Sequence, residues 1–228
     1  MTASTRTVAL IGAHGKVARR ATELMAREGH NVFGVIRKEE QSDDVRTDGA
    51  TPAVFDIQDS DVTAIERLLT EHGADTVVWS AGAGGGDPER TWAVDRDAAI
   101  RTIDAAAKAG VNHFIMVSYF GAGPDHGVPE DHDFYPYAQA KTEADAHLEK
   151  SGLNYTILRP SRLTSEEGTG TIDASADSPT ETSRANVARA VAAAVSSGPS
   201  TGAPLNRPLH RVIEFNDGDT PIGDVLRG

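Results

Sequence analysis

The stretch Val8–Ala18 constrains the fold of this chain more than any other segment. Its first four residues form an apolar run typical of a buried strand, Gly12 interrupts the run, and Gly15 begins a helical pattern that ends near Gly29. A strand, a glycine turn and a helix in this order form the phosphate-binding corner of dinucleotide folds. Glycines there let backbone N–H groups approach a pyrophosphate, and the small Ala18 lets the helix lie close to the strand. The alternative is a glycine turn that binds nothing.

Strand-like and helix-like patterns alternate along the rest of the chain. Apolar runs predict strands at 31–36, 53–55, 76–79, 113–118, 155–158 and 211–215. Helical patterns cover 61–71, 88–108, 136–150 and 184–195. We expect Asp59 or Ser60 to cap the first of these helices, a loop with at most a helical turn at 39–48, and one short hairpin at Thr171 and Ile172. This alternation predicts an α/β fold, a Rossmann-like doubly wound parallel sheet with helices on both faces.

The composition narrows the class of protein. At 228 residues and 39% hydrophobic content, we expect a single NAD(P)-binding domain over 1–228, with a small substrate-pocket region at about 161–180 and the C-terminal tail. The net charge of −12 argues against nucleic acid and anionic membranes as partners. The absence of cysteine excludes disulfides, thiolate metal sites and cysteine nucleophiles. With no apolar leader or spanning segment, we expect a cytoplasmic monomer or homodimer acting on a small-molecule substrate.

Several polar residues directly follow predicted strands. In parallel sheets ligands lie beyond the carboxyl ends of the strands, so the glycine loop, Arg37, Asp56, Ala81–Gly82 and Ser118 are expected to line one edge. Arg37 stands where NAD-preferring sites carry an acid. A guanidinium there can hold a 2′-phosphate, which predicts NADP (NADPH) as the cofactor. The alternatives are a solvated charge for Arg37 and a turn or capping aspartate for Asp56.

Two further polar groups bear on the chemistry. Tyr137 and Lys141 are four residues apart, hence on one face of a helix, and a neighbouring ammonium would lower the tyrosine pKa from about 10. Ser118 could hold a substrate carbonyl beside the tyrosine hydroxyl, although a chance Tyr–Lys spacing is the alternative. His126 and His132 lie among acidic residues, but we expect a solvated loop over the substrate pocket there rather than a metal site.

These residues together resemble a known superfamily. The chain is similar to short-chain dehydrogenases/reductases, and most similar to their atypical NAD(P)H-binding group of epimerase-like and NmrA-like proteins. The resemblance covers about 7–226 and is carried by the glycine turn and by Asp56–Ile57, Ala81–Gly82, Asp95, 109–114, Ser118, Tyr137, Lys141, 151–160 and 218–222.

The resemblance implies roles for individual residues. Tyr137 would transfer the proton, while Lys141 would lower its pKa and bind the nicotinamide ribose. Asp95 stands where better-known members carry asparagine. The predicted catalytic residues are thus Ser118, Tyr137, Lys141 and Asp95. The predicted cofactor-binding residues are Gly12, His14, Gly15, Lys16, Val17, Arg37, Asp56, Ile57, Ala81, Gly82, Lys141 and Pro160.

The expected function is that of an NADP(H)-dependent oxidoreductase. It would transfer a hydride to or from a small carbonyl, alcohol or sugar-like substrate, with Tyr137 as the acid/base, or run the epimerase variant of that chemistry. Two other hypotheses stay open at this point. One is an NADP(H)-binding redox sensor without turnover, and the other is a flavin or quinone reductase that needs no tyrosine acid.

Overall fold

The computed structural model describes residues 5–84, 87–199 and 208–227. Its strands are β1 Thr7–Ile11, β2 Asn31–Ile36, β3 Thr51–Val54, β4 Thr76–Trp79, β5 His113–Val117, β6 Tyr155–Pro160, β7 Arg162–Thr164, β8 Thr171–Asp173, β9 Glu181–Ser183, β10 His210–Asp217 and β11 Thr220–Pro221. Its α-helices are α1 Lys16–Arg27, α2 Ser42–Thr47, α3 Val62–Glu71, α4 Pro88–Thr91, α5 Ala99–Lys108, α6 Tyr135–Lys150, α7 Arg184–Ser197 and α8 Ile222–Arg227. A π-helical segment, Trp92–Ala98, joins α4 to α5, and a 3-10 turn, Glu39–Gln41, precedes α2.

The predicted doubly wound parallel sheet is confirmed. In the described part of the chain, nine strands form one sheet in the order β11-β8-β10-β6-β5-β4-β1-β2-β3. The seven strands from β10 to β3 run parallel to their neighbours, and β8 pairs antiparallel with β10 and β11. The order of the strands reverses between β1 and β4, which is where parallel sheets of this kind bind ligands.

Side chains of the central strands alternate between the two faces of the sheet. Val8 and Leu10 lie in the core beneath α1 and α7, while Ala9 and Ile11 lie in the core beneath α3 and α5. All four are fully buried. A strand covered on both faces needs apolar residues at every position, which explains the unbroken apolar runs in the sequence.

Local details differ from expectation at several boundaries. The helical turn allowed for in the predicted loop at 39–48 is the six-residue α2, and Asp61 rather than Asp59 or Ser60 caps α3, since its Oδ1 accepts the Ala64 N–H at 2.8 Å. β6 continues through Pro160 because it pairs in register with β10. The hairpin predicted at Thr171 and Ile172 is wrong, because β8 joins the edge of the main sheet. For β6 and β8, a strand distant in sequence supplies the backbone hydrogen bonds.

Candidate functional site

The glycine turn brings the end of β1 against the loop that follows β4. Gly12 has φ of +82°, and a Cβ there would lie 2.7 Å from the Ala81 Cα, so only glycine fits. α1 then begins after Gly15, with no side-chain cap and no acidic residue in its first turn. Its first N–H groups and the positive end of its dipole therefore stay available to an anion. This corner fits the pyrophosphate of a dinucleotide.

Two adjoining cavities open on this corner. The larger has a volume of about 1100 Å³ and reaches from Gly15 to Ser118 and Tyr137. The smaller, about 330 Å³, reaches from Gly12 to Arg37 and Asp56. Both are lined by Gly15, Ser80, Ala81 and Gly82, so they meet at the glycine turn. The structure thus brings the polar residues that follow β1, β2, β3, β4 and β5 to one edge of the sheet.

The smaller cavity lies on the side of the glycine turn that faces the ends of β2 and β3. Arg37 is exposed on its wall, and its guanidinium makes no hydrogen bond or ion pair with any described residue. The Asp56 carboxylate also lines it, but Oδ1 accepts the Gln58 N–H at 3.0 Å and so closes the turn after β3. His14 turns towards α2, where its Nε2 lies 2.8 Å from the Asp44 carboxylate. That bond lowers the pKa of Asp44.

The loop after β4 is held by two residues of the helix that follows it. Asp95, on the π-helical segment, is buried and accepts the Ala83 N–H at 3.0 Å. Arg90 donates from a guanidinium nitrogen to the Ala83 carbonyl oxygen at 2.7 Å. Burial raises the pKa of Asp95, and Lys141 partly opposes the shift. Asp95 therefore positions the loop that both cavities share, with its Oδ1 close beneath Gly82.

Tyr137 lies in the first turn of α6 and lines the larger cavity. Its pKa is raised above the ordinary value, first by burial and then by the carboxylates of Asp95 and Asp145. This direction is opposite to the predicted lowering by Lys141. The cause is burial of the hydroxyl, together with the Asp95 carboxylate from the π-helical segment and the Asp145 carboxylate from α6. The hydroxyl is thus protonated at neutral pH.

Lys141 is 1% exposed, and its Nζ contacts the Met116 Sδ at 3.4 Å. Burial lowers its pKa, while Asp95 and Asp145 raise it. Neither Lys141 nor Pro160 is among the described residues that line the two cavities. The predicted contact of Lys141 with a ribose thus needs a different side-chain position from the one observed.

Ser118, at the end of β5, lines the larger cavity but is 4% exposed. Its hydroxyl donates to the Asp145 Oδ2 at 2.7 Å. The Arg159 Nε donates to the same oxygen at 3.1 Å. The predicted hydrogen bond from Ser118 to a substrate carbonyl is therefore not available in this arrangement, because the only hydroxyl proton of Ser118 is already hydrogen-bonded to Asp145.

An aromatic wall, defined here as Tyr119, Phe134 and Tyr137, borders the larger cavity, which Phe134 and Tyr137 line directly. The ring of Phe134 is 5.4 Å from that of Tyr119 and 5.3 Å from that of Tyr137, centroid to centroid. Phe134 itself is 40% exposed. The loop before it, which contains His126 and His132, contributes residues 130–133 to the cavity, whereas Leu163 alone of the predicted pocket region 161–180 is among the lining residues.

The histidines of that loop are occupied by backbone contacts. The His126 Nδ1 accepts the Val128 N–H at 3.1 Å, and the His132 Nδ1 accepts the Phe134 N–H at 3.0 Å. In the described residues, no group of three or more metal-ligating side chains comes together. The same part of the chain contains no helix that is long and apolar enough to cross a membrane.

Sequence reasoning missed four residues of this site. Arg90, Phe134 and Arg184 line the cavities, and Asp145 bonds to Ser118. Asp145 could have been found, because it follows Lys141 by four residues and Tyr137 by eight and so lies on the same helical face. Arg90, Phe134 and Arg184 lie at or next to the N-terminal ends of helices, and residue periodicity does not show that these ends meet at the cavities.

Comparisons with known proteins agree with this geometry. A family profile described as NAD(P)H-binding matches residues 12–197. The chain belongs to this NAD(P)H-binding family. The uncharacterized sugar epimerase YhfK of Bacillus subtilis is 35% identical over 223 residues, which is 96% of this chain and 98% of that protein.

Two solved structures extend the NAD(P)H-binding assignment. A candidate NAD-dependent epimerase/dehydratase from Bacillus halodurans has 31% identity and a TM-score of 0.82, with 97% of this chain and 98% of that one covered. The anaerobillin reductase ChuY from Escherichia coli O157:H7 has 26% identity and a TM-score of 0.71, covering 93% and 98%. The NAD(P)H-binding family of this chain is thus one of oxidoreductases and epimerases of the atypical short-chain dehydrogenase type.

Proposed function

We propose that this chain is an NADP(H)-dependent oxidoreductase in which Tyr137 donates a proton to a carbonyl oxygen of a small substrate. One observation carries the proposal: a tyrosine whose pKa is raised faces a cavity that continues from an uncapped helix N-terminus. A protonated tyrosine suits the reduction of a carbonyl, because the developing alkoxide needs a proton donor. The epimerase variant, which oxidises and then reduces one carbon, would use the same residue in both directions.

The residues present fit the nicotinamide cofactor that the family name implies. The first N–H groups of α1 and the side chain of Lys16 would hold the pyrophosphate, and Val17 lines the cavity beside them. Asp95 and Arg90 would keep the loop at 81–84 against the cofactor. When bound, the nicotinamide supplies or accepts a hydride. At about 1100 Å³, the larger cavity can take the nicotinamide half together with a small substrate.

The preference for NADP is supported by Arg37. Its guanidinium is exposed, has no partner among the described residues, and lines the cavity that would hold the adenosine. A free guanidinium can bind a 2′-phosphate with two hydrogen bonds at no cost in broken contacts. The chain carries no acid at the end of β2, where an acid would bind the 2′-hydroxyl of NAD.

A second candidate, reduction of a planar conjugated substrate such as a quinone or flavin, is favoured by the aromatic wall. A flat ring system could stack on the exposed face of Phe134 beside Tyr137. Hydride transfer to such a ring needs no tyrosine acid. The name of ChuY, an anaerobillin reductase, also describes a reductase.

Tyr137→Phe separates these functions, because it removes the hydroxyl and keeps the ring. NADPH consumption would be followed with aliphatic and aromatic aldehydes, nucleotide sugars, quinones and flavins. For a carbonyl substrate, we expect the rate to fall by roughly 10²–10⁴-fold while NADPH affinity holds. Tyr135→Phe is the matched control, since Tyr135 precedes Tyr137 on α6 and contacts His126 instead of lining the larger cavity.

Each outcome assigns the chain to one class. An unchanged rate in Tyr137→Phe would refute the tyrosine mechanism and support the planar-substrate reductase. Binding of NADPH with no turnover of any compound in the panel would favour a sensor. Lys141→Met is expected to lower the rate, because it removes the positive charge beside Asp95 and Asp145.

A further inference from the structure

A series of hydrogen bonds, buried at its Ser118–Asp145 end, lies behind the tyrosine and is used by no step described above. The Ser118 hydroxyl and the Arg159 Nε both donate to the Asp145 Oδ2, at 2.7 and 3.1 Å. A second Arg159 nitrogen donates to Glu214 on β10 at 3.4 Å. Glu214 in turn accepts the Gly121 N–H at 3.0 Å. These hydrogen bonds therefore connect α6 with the ends of β5, β6 and β10.

Asp145 is 1% exposed, and a carboxylate at such a position needs a specific compensation. Its Oδ2 has two donors, whereas its Oδ1 is buried without a hydrogen-bond partner among the described residues. Burial raises the pKa of Asp145, and the positive charges of Lys141 on α6 and Arg159 on β6 oppose that shift. A purely structural residue at this place could be apolar, since replacing buried ion pairs by packed apolar groups is often neutral for stability.

The bond to Asp145 decides what Ser118 can do. A serine hydroxyl has one proton and two lone pairs. Because the proton points at Asp145, the cavity side of Ser118 presents lone pairs only. The hydroxyl then accepts hydrogen bonds from a substrate alcohol, and it donates to a carbonyl only by breaking a bond to a buried carboxylate.

The charge of Asp145 also acts on Tyr137 and Lys141, which lie on the same face of α6. Tyr137 precedes it by two helical turns and Lys141 by one. The carboxylate raises the pKa of both groups. Asp95, from the π-helical segment, acts in the same direction on both. Tyr119, just beyond the carboxyl end of β5, also raises the pKa of Tyr137 and does not affect that of Lys141.

We propose that Asp145 is a positioning residue, which fixes the Ser118 hydroxyl as a hydrogen-bond acceptor towards the cavity and places a buried negative charge behind Tyr137 and Lys141. The part that concerns the reaction rests on the function proposed above. Through Ser118, the site then recognises the alcohol form of its substrate. Through its charge, Asp145 raises the pKa of both Lys141 and Tyr137.

Nuclear magnetic resonance on the protein without cofactor tests the charges independently of activity. With ¹³C-labelled lysine and aspartate, the Lys141 side chain and the Asp145 carboxyl would be titrated in the wild type, Asp145→Asn and Ser118→Ala. Asp145→Asn should lower the pKa of Lys141 by at least about one unit, because one unit charge one helical turn away is lost. Ser118→Ala should raise the pKa of the Asp145 carboxyl, because a donor to its charged form is removed.

Glu149→Gln is the matched control, since it removes the same charge from an exposed position on α6. An unchanged Lys141 titration in Asp145→Asn, or one equal to that of Glu149→Gln, overturns the proposal. If Asp145→Asn does not fold, the Ser118→Ala titration decides alone, and an unmoved Asp145 carboxyl then rejects the link. Since no turnover is measured, these outcomes are independent of the Tyr137→Phe result that tests the proposed function.

Kinetics test the positioning role with a substrate that the panel identifies. Ser118→Ala and Asp145→Glu should each lower kcat, and their combination should lower it no further than the worse single variant. Asp145→Glu keeps the charge, so the pH midpoint of the rate should stay near that of the wild type. In Asp145→Asn that midpoint should move to lower pH by about one unit, the effect of one charge roughly 11 Å away at an effective dielectric constant of about 20. Additive losses, or an unmoved midpoint in Asp145→Asn, would contradict the proposal.

Discussion

Arg37 offers the sharpest test of cofactor choice, because its surroundings make the expected effect simple. The side chain is exposed at the end of β2, on the wall of the 330 Å³ cavity, and makes no hydrogen bond or ion pair with any described residue. Arg37→Ala therefore breaks no hydrogen bond or ion pair among the described residues. Whatever it removes must be an interaction with a ligand, so folding and ligand binding are cleanly separated.

The magnitude follows from the exposure of the guanidinium. A hydrogen bond to a charged group contributes about 1.5–3 kcal/mol, and solvent screening at an exposed site favours the lower end. About 1.5 kcal/mol corresponds to roughly tenfold in Kd, and two such bonds would give about a hundredfold. We expect Arg37→Ala to weaken NADPH binding by roughly 10- to 100-fold and to leave NADH within about twofold. Rising salt should reduce the difference between the two cofactors.

Calorimetric titration of NADPH and NADH into the wild type, Arg37→Ala and Lys38→Ala gives the answer. Lys38 is a matched control because it adjoins Arg37 but is paired with Glu40 at 3.2 Å. Lys38→Ala should change the ratio of the two affinities little. Equal affinities of the wild type for NADPH and NADH, or equal effects of the two variants, would refute the reasoning.

Two more perturbations have expected outcomes. Gly12→Ala puts a Cβ 2.7 Å from the Ala81 Cα at φ of +82°, so we expect a loss of roughly 2 kcal/mol or more in unfolding free energy. In Gly15→Ala the Cβ lies 3.2 Å from the Gly12 carbonyl oxygen at an ordinary φ, so NADPH affinity should fall more than stability. Denaturant unfolding and calorimetry check the pair, and equal losses of stability would argue against it. His113 is 1% exposed and burial lowers its pKa from 6.5 to about 3. Below pH 6.5, His113 takes up a proton in the unfolded protein but not in the folded protein. Its contribution to the unfolding free energy is therefore complete above pH 6.5 and is lost as the pH falls towards 3. From pH 7 to 5 this is a loss of about 2 kcal/mol, which should shrink in His113→Gln. An equal loss in that variant would show that other groups cause it.

The predictable part of the site came from backbone chemistry. Gly12 interrupts an apolar run, and only a turn with positive φ explains a glycine there. The polar residues that follow β2, β3 and β4 had to meet at one edge, because parallel strands share their carboxyl ends. Arg37, Asp56 and Gly82 accordingly line joined cavities.

Side-chain roles within that edge were less accessible to sequence. His14 lies in the glycine turn, yet it bonds to Asp44 because α2, in a segment predicted as a loop with at most a helical turn, brings a carboxylate within 2.8 Å. Tyr137 and Lys141 share a helical face as predicted, but the tyrosine pKa moves in the opposite direction. A spacing rule identifies neighbours along one helix and says nothing about burial.

The sequence alone determined the alternation of strands and helices, the glycine corner and the helical face that carries Tyr137, because these depend on residue periodicity and local backbone geometry. Tertiary structure decided the direction of the tyrosine pKa, the partner of Ser118 and the place of Asp95 beneath Gly82. Those properties arise from water exclusion and from charges on elements far apart in the chain. Water is excluded and these charges become neighbours only when the sheet has brought β5, β6 and α6 together.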